Sequence, residues 1–418
     1  MAKPVAQIPA GNASFTGKSF LAKGFAKVQY ELPVFVVLLL FYLPQKLSVT
    51  GDIYSMLHIF DYRIGFAPRL FIGSIMSLFT DYKSQAFMER FFGVVFILEA
   101  LLFAFAAGRI IRKASAETRE ISIIFVTLFV AVPYSLAVLY PRLLSLDRFL
   151  VIFTLLALIV LSKRGFKWLV PVLLAMGLAT YTGFAFTYMP AIALLLLYEV
   201  CKNKNSKQSI LLCAAGFATM AVFSVFFFLF DGLDKFANVD ELIAYAAGKT
   251  DLPFVGYYKD VVETLLFKTP SDFFWNSTLP LEGYKGFLHE FTSTIFLLPL
   301  IIIFFSIWRA STKATANKFE KLIFVLCMLA PVARFPMFIL STNFYRGRVS
   351  VVVVQFFLLF YFLYTENPAV LTAVKKIGEF FRKNYLLLLL LLAYFSFPFL
   401  TFRTGEWWGN FINALIRQ

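Results

Sequence analysis

Cysteine, histidine and charge are all in short supply in this chain: its 418 residues include three Cys, two His and only 15% charged side chains. The thiols Cys201, Cys213 and Cys327 lie in or at the ends of apolar segments, with no CxxC spacing and no nearby His. Neither a metal site nor a disulfide framework is written there, and no metal or cofactor is expected. HExxH, Walker A, GxSxG and GxGxxG patterns are absent in any credible context, so metal-dependent, nucleotide-driven and serine-hydrolase chemistries have no support. Internal repeats, low-complexity tracts and a soluble domain are missing too.

What fills the chain instead is apolar. Hydrophobic residues make up 60% of it and aromatics 19%, with a mean hydropathy of +0.78, outside the range of soluble globular proteins. The apolar stretches recur near the length of about 20 residues that a helix needs to cross a bilayer, each bounded by Lys/Arg clusters or polar loops. They are continuous, whereas a β-barrel alternates in short segments. The expected fold is all-α and polytopic, with about eleven transmembrane helices at residues 32–47, 91–111, 121–140, 149–161, 168–181, 188–200, 209–230, 293–308, 322–341, 349–364 and 385–402.

A formal charge of +15 raises nucleic acid as a partner, but basic residues also accumulate on the cytoplasmic side of a polytopic protein. The clusters Arg109/Arg112/Lys113/Arg119, Lys163/Arg164/Lys167, Lys202/Lys204/Lys207, Arg309/Lys313/Lys318/Lys321 and Lys375/Lys376/Arg382/Lys383 all fall on one side if eleven spans start from a cytoplasmic N-terminus. The lipid bilayer, not nucleic acid, is therefore the expected partner. Residues 1–31 read as a cytoplasmic arm with Lys3, Lys18, Lys23 and Lys27, followed by an anchor that lacks a cleavage site and is expected to stay. Residues 32–402 form one transmembrane domain with external loops at 48–90 and 231–292, and 403–418 is an external interfacial tail containing Trp407 and Trp408. Pro68 to Phe79 places Leu70, Phe71, Ile75, Leu78 and Phe79 near one face of an interfacial helix, with Pro68 at its start. Residues 370–384 read as a basic amphipathic segment on the cytoplasmic surface.

Charges inside apolar runs are costly and are candidate functional residues. Glu99 interrupts FILEALLF and Arg334 interrupts MLAPVARFPMF. At 1.5 Å per residue they lie roughly 12 Å and 10 Å from the outer ends, so they can meet as an intramembrane pair, either fixing helix packing or gripping an anionic ligand. Pro331 and Pro336 flank Arg334 and predict a kink. External arginines recur in three segments: Arg63 and Arg69, Arg142 and Arg148, Arg346 and Arg348. Their planar donor forks suit a lipid phosphate, although snorkelling or a local salt bridge explains each pair alone. Asp52, Asp61 and Asp147 lie on the same face, which has no acidic DxD. Asp52 and Asp61 are candidate bases for a sugar hydroxyl, while Asp147 and His289 are candidate substrate contacts. His58 shares the first loop.

A carboxylate-bearing loop after the first helix, interfacial helices within it and a second long external loop resemble the membrane glycosyltransferases of the C-type superfamily, and in outline the bacterial O-antigen and capsule polymerases and ligases. That resemblance implies a polyprenyl-linked sugar donor, an external loop Asp such as Asp52 or Asp61 as base, the Arg pairs on the lipid phosphate, no metal, and a bacterial cytoplasmic membrane. A transporter or flippase for an anionic lipid-linked substrate, with Glu99 and Arg334 on its path, is the second reading. A non-catalytic partner of other glycan-assembly membrane proteins is the third.

Overall fold

The computed structural model describes residues 28–42, 54–132, 145–163, 165–203, 206–229, 235–253, 259, 262–263, 266, 295, 297–334 and 344–396, and these are helical, with no strand among them. A helix lies on each of the eleven expected spans. Helix α1 is Glu31–Tyr42; α2 (Tyr54–Ile59) and α3 (Phe71–Ser77) belong to the first loop. Then come α4 (Gln85–Lys113), α5 (Ala116–Ala131), α6 (Leu146–Leu161), α7 (Val170–Thr180), α8 (Phe184–Thr187), α9 (Met189–Lys202) and α10 (Lys207–Leu229). The second loop contributes α11 (Val239–Ala247). The C-terminal half holds α12 (Leu298–Ala314), α13 (Lys318–Leu329), α14 (Phe344–Tyr364), α15 (Pro368–Lys383) and α16 (Tyr385–Ser396).

Among the described residues only α4 and α10 are long and apolar enough to cross a membrane alone, and the pair α14–α15 makes a third if counted as one span. Local chemistry explains the shorter helices. At about 1.5 Å per residue, helices such as α7 and α13 fall well short of a ~30 Å core. Helix α7 stops at Tyr181, in extended backbone, before the chain turns through Gly183. Helix α13 passes at Ala330 into a 3-10 turn, Ala330–Arg334, at the place where Pro331 predicts a break.

The helices pack around an aromatic core. Phe129 of α5 meets Phe103 of α4 and Phe356, Phe357 and Phe360 of α14, with ring centroids 5.0 to 6.0 Å apart. Trp308 of α12 is fully buried and its Nε1 donates to Gln355 Oε1 at 2.6 Å, while Gln355 Nε2 donates to the Cys327 carbonyl at 2.9 Å, tying α12, α13 and α14 together.

Contacts sort the connecting segments to two ends of this bundle. At one end Arg112 bonds Glu31, Lys167 pairs with Glu199, Lys113 Nζ donates to the Tyr364 carbonyl at 3.2 Å and Asn317 Nδ2 approaches Cys201 Sγ at 3.5 Å. At the other end the first loop packs its Phe66 ring on Phe226 and Phe227 of α10, 5.1 and 5.5 Å away. The loop also joins the second one: Lys83 N donates to the Lys249 carbonyl at 2.8 Å, Thr250 Oγ1 to the Lys83 carbonyl at 2.7 Å, and Gln85 N to Asp251 Oδ1 at 2.7 Å.

Two surface segments differ from expectation. Pro68 opens a 3-10 turn, Pro68–Leu70, and not the helix itself. The tighter turn shifts the phase, so Leu70, Ile72 and Met76 are buried whereas Leu78 and Phe79 are 82% and 70% exposed. Gly73 sits against the backbone of Phe60, where a Cβ would come within 1.8 Å of the carbonyl oxygen. Helix α15 turns 111° from α14 and does not lie free: Val370, Ala373, Val374 and Phe381 are buried, and Lys375 and Arg382 pair with Glu117 and Glu120 of α5 at 2.7 and 2.9 Å. The tail 403–418 lies outside the described residues.

Candidate functional site

One face of α4 carries Phe92, Phe96, Glu99 and Phe103, spaced at four, three and four residues so that all turn inward. Glu99 lies roughly 21 Å along the helix from Gln85, because α4 starts before the expected span. Its Oε2 accepts from Arg148 Nη1 at 2.8 Å, and both side chains are 0% exposed. The guanidinium also lies over the Phe96 ring, 5.7 Å from its centroid. Glu99 Oε1 is buried without a hydrogen-bond partner. The expected Glu99–Arg334 pair is not formed. Arg334, also buried, ends the 3-10 turn after α13, and this turn packs on α8, α9 and α14. Arg148 reaches Glu99 because it occupies the first turn of α6.

The folded first loop closes over this pair. His58 of α2 is fully buried with its ring 4.8 Å from Phe92, and Phe92 meets Phe149, next to Arg148, at 6.0 Å. Asp147, 8% exposed, shares the first turn of α6, where the helix dipole favours a carboxylate; Ser145 Oγ caps its backbone N at 3.3 Å. Arg69 lies over the Tyr181 ring at 5.5 Å, above the α7–α8 break.

Asp61, one of the two candidate bases, is held by a dense set of donors. Arg63 grips it with both arms, Nε to Oδ1 at 2.8 Å and Nη2 to Oδ2 at 2.6 Å, and the Arg63 backbone N adds a bond of 3.0 Å. Ser77 Oγ donates at 2.7 Å and Lys83 Nζ stands 3.5 Å away. Burial opposes the charge on Asp61, but these donors outweigh it and hold the carboxyl well below the usual carboxylate range. A carboxylate so held is a poor proton acceptor. Asp61 is the hub that folds the loop, with Arg63 bridging on to Asp81 at 2.6 Å. Lys83, 1% exposed, donates to the Ile59 carbonyl at 2.6 Å, and burial pulls its pKa down to about 8.

Asp52, Arg142 and His289 lie outside the described residues, as do the side chains of Arg346 and Arg348, whose backbone opens α14. A second buried polar cluster, at the opposite end of the bundle, was not singled out from the sequence. Glu199, 2% exposed, is bonded by Lys167, by Tyr361 Oη at 2.7 Å and by Asn203 Nδ2 at 3.1 Å; Asn367 Nδ2 reaches both Tyr198 Oη, 2.8 Å, and Glu320 Oε1, 2.6 Å. The glutamate three residues before the end of LLLLYEVCK is the signal that pointed there.

Compared with protein-family models, with curated proteins and with solved structures, the chain matches none.

Proposed function

We propose that this chain is a multi-pass membrane glycosyltransferase or polysaccharide polymerase that uses a polyprenyl-phosphate-linked sugar at the outer face of a bacterial cytoplasmic membrane. The observation that carries the reading is the fully buried Glu99–Arg148 pair, with Asp147 beside it, directly beneath a folded polar loop. Buried charge among apolar helices mark functional sites by default, since a hydrocarbon interior penalises them. Supporting the eleven-span topology is the helix on each expected span, and supporting a common side for the basic clusters are the contacts that gather them at one end.

In this reading a carboxylate takes the proton from the acceptor hydroxyl as that oxygen bonds the anomeric carbon. The bond to the lipid diphosphate breaks, and arginine donors stabilise the charge on the leaving group. Because Asp61 is committed to the loop, the base is assigned to Asp52 or Asp147. Arg69, Arg142, Arg148, Arg334, Arg346, Arg348 and His289 are the proposed phosphate and sugar contacts, and Glu99 tunes Arg148. The test is conversion of a polyprenyl-diphosphate sugar to a new glycoside by the purified chain. Full product from the Asp52→Asn/Asp147→Asn double variant, at unchanged protein level, rules out every base assigned here.

A carrier for an anionic lipid-linked substrate is the second reading, favoured by the position of Glu99 near the middle of a spanning helix. Its mark is passage of labelled substrate across a vesicle membrane with no covalent change.

A further inference from the structure

A narrow apolar cleft, open to the surroundings, runs between α1, α4, α5, α6 and α14. Phe103 and Phe129 line it, Phe103 lying one helical turn from Glu99. Its walls are aliphatic and aromatic, among them Leu38, Val126, Leu158 and Phe357. Cations mark one end. Arg109 and Lys163 both sit on the half-exposed Phe105 ring, 5.2 and 5.9 Å from its centroid, and Lys113 lies 4.3 Å over Tyr364. Among the described residues none of the three has a carboxylate at ion-pair distance, whereas their neighbour Arg112 is bonded by Glu31.

Helix α4 is a spanning helix of roughly 43 Å, longer than a ~30 Å hydrocarbon core, so Arg109, in its last turns, stands at headgroup level while the cleft reaches inward from it. An apolar slot with an uncompensated cationic mouth at that depth is complementary to one kind of molecule. We infer that the cleft holds an acyl chain of a phospholipid with an anionic headgroup, its phosphate on Arg109, Lys163 and Lys113. This assignment is independent of the sugar-transfer reading. It makes the lipid a fixed part of the bundle, filling the seam between α1, α4, α6 and α14.

The experiment is native mass spectrometry of the purified chain in detergent, titrated separately with phosphatidylglycerol and with phosphatidylcholine. One phosphatidylglycerol is retained, more tightly than phosphatidylcholine. The double variant Arg109→Gln/Lys163→Gln, at partly exposed positions, binds phosphatidylglycerol about thirtyfold more weakly and phosphatidylcholine unchanged, from about 1 kcal/mol per basic residue, with its melting temperature measured alongside. Leu158→Trp, which fills the slot, weakens both lipids, and soluble glycerol phosphate does not compete. Equal retention of the two lipids by the unmodified chain overturns the assignment, as does undiminished phosphatidylglycerol binding by the double variant. A second copy of the chain occupying the cleft, seen as a dimer that Leu158→Trp abolishes, overturns it as well.

Discussion

Arg148 Nη1 and Glu99 Oε2 are 2.8 Å apart, and neither side chain is reached from outside the bundle. The pair ties the middle of α4 to the first turn of α6, beside Asp147. Removing one partner takes its counter-charge away from a buried group, at a cost of about 3–5 kcal/mol, whereas replacing both by apolar groups of similar volume is close to neutral. Glu99→Leu is therefore expected to lower thermal stability in detergent sharply, and Glu99→Leu/Arg148→Met to restore most of it. A double variant that is stable but makes no product assigns the pair to function.

Asp61→Ala is expected to destabilise the first loop by about 3 kcal/mol, because it strands Lys83 in a buried site and releases Arg63. Proteolysis of the loop at residues 78–82, where Leu78 and Phe79 are exposed, reports this directly. Equal protease resistance in the variant and the parent contradicts the role of Asp61 as the loop's hub.

Lys83 gives the loop a pH dependence of definite sign. The unfolded chain keeps this proton up to the ordinary value of 10.5, whereas the folded chain releases it near 8. Between those values the unfolded state binds more protons, so the Lys83 contribution makes stability rise with pH. Asp61, Arg63 and Lys249 act on Lys83, with burial the largest influence. The rise is expected to flatten in Lys83→Met, as measured by melting temperature from pH 8 to 10; an unchanged slope contradicts it.

Gly73→Ala places a methyl group 1.8 Å from the Phe60 carbonyl oxygen, which belongs to backbone and cannot turn aside. The loop must open, at an expected cost of about 2 kcal/mol or more. A melting temperature equal to that of the parent chain contradicts the close approach.

Tyr361→Phe removes a buried hydroxyl that donates to Glu199 Oε1 at 2.7 Å. A hydrogen bond to a charged group contributes about 1.5–3 kcal/mol, and the loss is expected to appear as a lower melting temperature with unchanged product formation, since this cluster lies at the end of the bundle opposite the proposed site. Loss of product at unchanged stability moves the chemistry to Glu199.

Helix positions were legible because continuous apolar runs broken by Lys and Arg leave few alternatives. Partner choice was not. Glu99 has two buried arginines within reach by depth along the chain, and only the packing of α6 against α4 selects Arg148 over Arg334. Asp61 reads as a reactive carboxylate beside two arginines. Its engagement depends on Ser77 and Lys83, brought back by the 3-10 turns that also rotated the buried face of α3. Glu199 was not legible because a glutamate near a helix end beside Lys202 resembles a solvated charge, whereas Tyr361 and Lys167 reach it from elsewhere in the fold and it is buried.

The central claim rests on chemistry at the outer face, and reconstitution tests it most directly. Purified chain is placed in vesicles with a polyprenyl-diphosphate sugar and an acceptor glycan, and products are read by mass spectrometry. The account predicts a new glycosidic product that is lost when either Asp52 or Asp147, whichever is the base, becomes Asn. Substrate that crosses the vesicle unchanged, or full product from the Asp52→Asn/Asp147→Asn double variant, contradicts it.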